Sequence, residues 1–372
     1  MKVTVERAAL LKCLGHVHRV VERRNTIPIL ANVLIKADNS RLALKATDLD
    51  LEMTETVPAE VGPPGATTVP AHMLYDIVRK LPEGAQIVIE SSGDRGLLAI
   101  RAGRSRFTLQ TLLESDFPDL AAGEMTHAFK LSGADLKRLI DKTSFAISTE
   151  ETRYYLNGIY LHPSSSARTA TLRAVATDGH RLAQFELPLP AGAAGMPGII
   201  VPRKTVGEAQ RLIEDPEAEV TVELSPGKIR LTLADAVLTS KLIDGTFPDY
   251  ARVIPLGNEK ELTVDKKEFE QAVDRVSTVS SERGRAVKLS LSDGKLMLSV
   301  TNPDSGSASE ELEVEYASEP LDIGFNSRYL LDIAAQIDGE RAVLKLSDHS
   351  SPALIQDRES KSALYVLMPM RV

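Results

Sequence analysis

The 372-residue sequence has no tryptophan, and aromatic residues make up only 4% of it. A surface of stacked rings for single-stranded bases is therefore not expected. Cysteine is confined to Cys13, so neither an internal disulfide nor a cysteine-based zinc site can form. A lone thiol fits a reducing cytosol, and its helix-like surroundings predict a small buried apolar residue. Long apolar runs are missing too. Lys2, Glu6, Arg7 and Lys12 interrupt the N-terminal stretch, unlike a signal peptide. The longest uncharged stretch near midchain, 187–202, carries Pro188, Pro190, Pro197, Pro202 and three glycines, and reads as a loop. A soluble, cytoplasmic protein with no membrane partner is expected. Excess positive charge is also lacking: 44 Lys+Arg stand against 52 Asp+Glu, a net −8. As an average, that argues against a nucleic-acid partner, because phosphates require basic surface.

The motifs of common active sites are absent as well. There is no phosphate-binding glycine loop, no HExxH and no serine nucleophile elbow. The seven histidines are scattered, and His16 and His18 diverge if they lie on a helix. No metal or cofactor is expected. What the chain does have is 43% hydrophobic residues, enough for sizeable cores, and a length suggesting two to four domains of roughly 100–200 residues.

Its most informative feature is self-similarity. Ala46-Thr47-Asp48 recurs as Ala176-Thr177-Asp178, with an echo in Val300-Thr301-Asn302. Phe117-Pro118-Asp119 recurs as Phe247-Pro248-Asp249, again 130 residues on. Val69-Pro70 recurs as Val201-Pro202, and Phe325-Asn326 takes that place a third time. Each repeat divides into halves of strand, helix and further strands. Helices are predicted over 6–22, 132–146 and 265–279 in first halves, and over 70–81, 202–213 and 326–337 in second halves. Leu10, Leu14, Val17 and Val21, then Leu136, Leu139 and Ile140, follow helical spacing. Pro70 and Pro202 suit a first helical turn. Between helices, apolar residues alternate with period two: Leu42, Leu44 and Ala46; Leu49, Leu51 and Met53; Ile229, Leu231 and Leu233; Leu296, Leu298 and Val300. Glu83-Gly84, Pro226-Gly227 and Asp293-Gly294 mark turns. The expected fold class is α+β: three similar domains, each with two helices packed on antiparallel sheets. Three such units suggest a surface built by symmetry, a ring or a solenoid.

Divided by element, the charge looks different. Over 6–24, 70–80, 132–142, 202–213, 265–279 and 326–337, the helical stretches hold 17 Lys+Arg and 11 Asp+Glu, a net +6, leaving −14 for the remainder. Lys and Arg are good helix formers, but so is Glu, so propensity alone does not produce this asymmetry. Thr177-Asp178-Gly179-His180-Arg181 is the one stretch resembling an active site, with an Asp two residues from a His. Thr47-Asp48 repeats its opening without the His, which favours a structural strand-end turn. A hydrolase or lyase using Asp178 and His180 stays open as the enzyme reading. A protein-only scaffold of repeated domains is another.

Several stretches in order resemble one family over the whole chain. They are 24–32 with Pro28-Ile29-Leu30, Ala46-Thr47-Asp48-Leu49, Arg153-Tyr154-Tyr155-Leu156-Asn157-Gly158, 175–182, 240–250 and Met368-Pro369-Met370-Arg371. The chain resembles the bacterial sliding clamps, the beta subunits of DNA polymerase III. The resemblance implies a DNA clamp fold, a head-to-tail homodimer closed into a ring, and duplex DNA passing through without sequence readout. It implies no catalysis and no cofactor, and domains over 1–122, 123–256 and 257–372. Partners would be double-stranded DNA, the polymerase alpha subunit, the clamp-loader delta subunit, and other clamp-motif proteins such as repair polymerases, mismatch repair proteins and ligase. Cytoplasmic, nucleoid-associated localisation follows.

Carried over by position, the partner-peptide pocket would comprise Leu156, Thr177, Gly179, His180, Arg181, Leu182, Pro248, Arg252, Val253, Asn326, Tyr329, Val366, Leu367, Met368, Pro369, Met370 and Arg371. DNA would meet Arg24, Arg79, Lys80, Arg153, Arg203 and Lys204. The dimer interface would use Phe107 and Leu109 against Thr278 and Val279. Three residues depart from the family pattern: Gly284 where relatives carry an aromatic, Pro352 for a small polar residue, and Glu150 where a polar DNA contact is expected.

Overall fold

The computed structural model describes residues 1–372 except 93–95, 121–122, 166–168 and 281–284. Gly284 thus lies outside the described residues. Six α-helices occur among those described: α1 (Arg7–Val17), α2 (Ala71–Lys80), α3 (Gly133–Asp141), α4 (Arg203–Leu212), α5 (Lys266–Ser277) and α6 (Ser327–Ala334). Each directly follows a strand and precedes three more, so one strand–helix–three-strand unit occurs six times. The expected helices are all present but shorter. At the first, the helix stops at Val17, where the His18 ring turns back onto the Leu14 carbonyl at 2.5 Å.

The first-half helices begin alike. Glu6, Ser132 and Asp265 each accept, through a side-chain oxygen, the backbone N–H three residues on, at Ala9, Asp135 and Glu268. Such capping satisfies a donor that has no intrahelical partner. Pro70 and Pro202 sit one position earlier than expected, closing the preceding strands; Pro70 is the cap residue of α2.

Pairing within a domain is exchanged between halves. Lys2–Glu6 pairs with Gln86–Ser92, and Gly65–Pro70 pairs with Asn32–Asp38. His127–Ser132 with Glu219–Ser225, Ile199–Pro202 with Gly158–Ser165, Lys260–Asp265 with Arg341–Leu346, and Leu321–Asn326 with Ala286–Ser292 repeat the scheme. All pairs are antiparallel. Final strands then join neighbouring domains: Leu51–Pro58 pairs with Ala236–Lys241, and Arg181–Pro188 with Ala363–Leu367. Two eight-stranded sheets result.

By compactness the chain divides into two units. One comprises Met1–Lys137, Pro190–Ala194 and Lys204–Leu242; the other comprises Arg138–Leu189, Gly195–Arg203 and Ile243–Val372. The division falls within the central repeat because each of its sheets continues into a neighbouring repeat. Two final strands, Ser105–Gln110 and Gly306–Glu313, lack a second partner and stand at sheet edges.

Inward residues follow the period-two pattern. Leu42, Leu44, Ala46, Leu296 and Leu298 are fully buried, as are Leu10, Leu14, Val17 and Cys13 on α1. Burial pushes the Cys13 thiol pKa up. Leu49 differs from expectation. It is 39% exposed, in a turn, at φ +79°. No described helix is long and apolar enough to cross a membrane.

Candidate binding clefts

The turn 177–181 organises the site, and its polar side chains serve the backbone. Thr177 Oγ1 donates to the Arg181 carbonyl (2.7 Å) and accepts from Gly179 N–H (3.1 Å). Asp178 Oδ1 accepts from the N–H groups of His180 (2.9 Å) and Arg181 (3.0 Å). Gly179 sits at φ +89°, where an added Cβ would lie 2.5 Å from Arg153 Nη1. Thr47 and Asp48 build the same turn: Thr47 Oγ1 donates to the Leu51 carbonyl, and Asp48 Oδ1 accepts from Asp50 and Leu51 N–H. Asp178 is thus held by the turn, and no hydrogen bond joins it to the His180 ring among the described residues. The dyad of the enzyme reading does not form.

Arg181 ties this turn to its surroundings. Its guanidinium donates to Asp332 Oδ2 (2.5 Å), the Phe145 carbonyl (2.7 Å) and Asp178 Oδ2 (3.2 Å). It also lies over the rings of Tyr329 (4.1 Å) and Phe145 (5.1 Å). Its side chain is only 10% exposed.

On one side of the turn opens a mainly apolar cleft of about 270 Å³. Ten expected pocket residues line it: Leu156, Thr177, Gly179, His180, Arg181, Leu182, Pro248, Val253, Val366 and Met368. Leu156, Leu182, Tyr250 and Val366 of its lining belong to a buried cluster with Val175, Ile200 and Phe247. Phe247 stacks on Tyr160 with centroids 4.8 Å apart, and the Tyr250 hydroxyl bonds His162 Nε2 (2.9 Å) and Arg173 Nη1 (3.1 Å). Val253 and Met368 are 50% and 42% exposed, so both can meet a ligand.

Across the turn lies a larger cleft of about 710 Å³. Asn326, Tyr329 and Met370 line it rather than the apolar cleft, and His180 and Arg181 line both. Leu367 is fully buried: its side chain packs inside the sheet, unlike that of an accessible pocket residue. Arg252 pairs with Asp249 at 2.8 Å outside the apolar lining, and Pro369 and Arg371 line neither cleft. Pro352 offers its carbonyl to Asn258 Nδ2 at 2.8 Å.

The expected DNA residues are placed very differently. Lys204 Nζ bonds Asp48 Oδ2 (2.6 Å), Glu22 and the Val20 carbonyl (3.0 Å), so its charge is compensated within its own unit. Burial works against its ammonium, but the Asp48 and Glu22 carboxylates outweigh this and raise its pKa. Arg153 grips both oxygens of Glu150 (2.9 and 2.6 Å), and this hydrogen bonding lowers the carboxyl pKa. Glu150 therefore neutralises Arg153 at the position where the resemblance implies a polar DNA contact. Arg79 pairs with Asp76 at 3.2 Å. Arg24 and Arg203 form no side-chain ion pair or hydrogen bond among the described residues. Lys80 lines a cavity of about 500 Å³ that Phe107 also lines. Leu109 is buried, Thr278 caps α5, and the Val279 carbonyl accepts from Asn302 Nδ2 (3.0 Å).

Sequence reasoning missed Tyr155, Asp249 and Tyr250 in the apolar cleft, and Phe145, Arg285, Arg328 and Asp332 around the larger one. Tyr155 lies in the matched stretch 153–158, and Asp249 and Tyr250 lie in or beside the repeated Phe-Pro-Asp; the other residues carried no signal.

Three family models match in succession: the DNA polymerase III beta subunit N-terminal domain over 1–121, its central domain over 130–249 and its C-terminal domain over 251–371. A curated relative, the beta sliding clamp of Caulobacter vibrioides, is 54% identical over 372 residues, covering both chains fully. A solved sliding clamp from Bartonella birtlesii bound to griselimycin is 57% identical, with TM-score 0.97 and full coverage of both chains. One from Pseudomonas aeruginosa, also bound to griselimycin, is 42% identical with TM-score 0.95 and full coverage.

Proposed function

The chain belongs to the DNA polymerase III beta-subunit family, the bacterial sliding clamps, and from that premise we propose how its own residues do a clamp's work. It acts as an accessory processivity subunit without catalysis of its own. Clamps of this family encircle DNA as dimeric rings, partner the polymerase and bind peptide motifs.

The observation that carries our reading is the pair of edge strands. The two domain junctions within the chain use the final strand of one domain's first unit and that of the next domain's second unit. By that rule Gly306–Glu313 of one copy pairs with Ser105–Gln110 of another. Two chains then close a ring of six domains, bounded at 1–122, 123–256 and 257–372, and both of these final-strand edges are paired. Hairpin equivalence sets the register. Val237 faces Thr54 in the first junction, so Arg106 faces Ser309 of the second copy. Charge supports the match: Arg104 and Arg106 mark one edge and Glu313 the other, while Glu310 and Glu311 are held by Arg275 and Lys295 of their own chain. Phe107, Leu109, Thr278 and Val279 belong to this interface.

The apolar cleft receives an extended peptide, its apolar side chains entering between Val253, Met368 and Leu182. Adaptable Met and Leu walls suit several sequences. Docked partners include the polymerase alpha subunit, the clamp-loader delta subunit, and repair, mismatch-repair and ligase proteins. Tethering raises polymerase concentration at the template. Arg24 supplies sequence-blind attraction to phosphate, Lys204 holds the framework, and Arg203 lines the larger cleft beside the turn. Nucleoid association follows from encircling DNA. The test is primer extension on a primed circular template with matched loader and polymerase: long products are expected, and distributive synthesis would refute the reading.

A further inference from the structure

The 710 Å³ cleft holds positive charge that nothing described in the protein compensates. Its lining includes the guanidinium groups of Arg181, Arg203, Arg285 and Arg328, against the carboxylates of Glu150 and Asp178. Both carboxylates are engaged. Glu150 is gripped by Arg153, and Asp178 accepts from two backbone N–H groups and Arg181 Nε. Arg181 is engaged as well, by Asp178, Asp332 and the Phe145 carbonyl. The side chains of Arg203, Arg285 and Arg328 make no ion pair or hydrogen bond among the described residues. Like charges gathered in one concavity repel until an anion enters.

We propose that this cleft binds an acidic extension of the same peptide that docks in the apolar cleft, with Arg203, Arg285 and Arg328 recognising its carboxylates. The inference rests on the peptide-docking reading above. Continuity is the first support: His180 and Arg181 line both clefts, so a chain leaving one enters the other. Chemistry is the second. A guanidinium fork matches a carboxylate bidentately, and Ser144, Ser148 and Asn326 add polar partners. Nucleic acid fits less well. Of the two aromatic rings present, Phe145 and Tyr329, each has one face taken by Arg181, which leaves less ring for bases to stack on. Arg328, on the first turn of α6, would thus set partner preference rather than basic affinity.

The test uses the full chain and labelled peptides with a leucine- and phenylalanine-containing core, extended at either end by Asp-Asp or Asn-Asn. Fluorescence anisotropy should show the aspartate form, at one end, binding about tenfold tighter at low salt. The gain should fade with added salt and disappear in Arg285→Gln/Arg328→Gln, while the Asn-Asn peptide binds that variant as before and so reports an intact fold. Arg328→Gln alone, at an exposed position, should lose part of the gain even if the double variant folds poorly. Equal affinity for both extensions at both ends overturns the inference and leaves the docking reading standing. Absence of binding by every peptide overturns both. Binding of a ten-residue oligothymidylate that depends on Arg285 and Arg328, with no aspartate gain, would make the cleft a phosphate site and also overturn it.

Discussion

Replacing Arg181 by Met keeps the aliphatic stem but removes the charge that links the 177–181 turn to α6 and to the segment at Phe145. Three hydrogen bonds disappear: to Asp332, Asp178 and the Phe145 carbonyl. Breaking one side of a buried ion pair costs about 3–5 kcal/mol, mainly through the charge left behind. Arg181 is 10% exposed but Asp332 is 32% exposed, so water restores part of the aspartate's solvation. We therefore expect a loss of about 3 kcal/mol, at the lower end of that range. Arg181→Lys should recover little, since an ammonium cannot serve three acceptors in a plane while lying between two rings. Adding Asp332→Asn to Arg181→Met should return about 1 kcal/mol by removing the orphaned charge. Urea unfolding followed by circular dichroism measures all of these, and peptide anisotropy reads the linked distortion of the apolar cleft. Wild-type stability for the Lys variant, or a deeper loss on adding Asp332→Asn, would refute a charged cross-link.

Three further outcomes are expected. Cysteines at Arg106 and Ser309 should be joined between copies by a short bismaleimide, since directly opposed Cβ atoms lie about 5 Å apart. Cys13 is buried and will not compete, and efficient linkage of 106 to 310 instead would disprove the register. Arg24→Gln should lower the slope of log affinity for duplex DNA against log salt by about 1. Lys204→Gln should leave that slope unchanged and lower the melting temperature, because its charge belongs to Asp48 and Glu22. His16 is hydrogen-bonded to Glu55 at 2.8 Å, which raises its pKa despite burial. Its contribution to stability should be complete below the unfolded value of about 6.5 and be lost as pH rises through the higher folded value. An NMR titration placing the His16 pKa below 6.5 would contradict this.

Much of the fold was legible because its signals are local. Strand–helix units and the Thr-Asp turn depend on neighbours a few positions away. Leu49 was misjudged because it extends an apolar alternation, yet the turn places it in the left-handed region and turns it outward. Within the candidate site, the turn and the Met-rich C-terminus were readable from repeat and resemblance. The division of those residues into two clefts was not, because Asn326, Tyr329 and Met370 are separated from Leu156 and Val253 by the spatial course of Arg181. Lys204 looked like any other helical cation. Nothing in sequence distance links it to Glu22 and Asp48, and only their approach neutralised it.

The sequence by itself determined three repeats, six helices and a basic bias on those helices, since periodicity, turn chemistry and composition act over short stretches. Its lack of tryptophan, paired cysteines and catalytic motifs likewise narrowed the function, because each absence removes a chemistry whatever the fold. Tertiary structure alone decided which strands join neighbouring domains, which edges remain unpaired, and which cations remain uncompensated. Hydrogen-bond partners and ion pairs between residues far apart in the chain are set by proximity in space, and burial then determines how strongly each charge is felt.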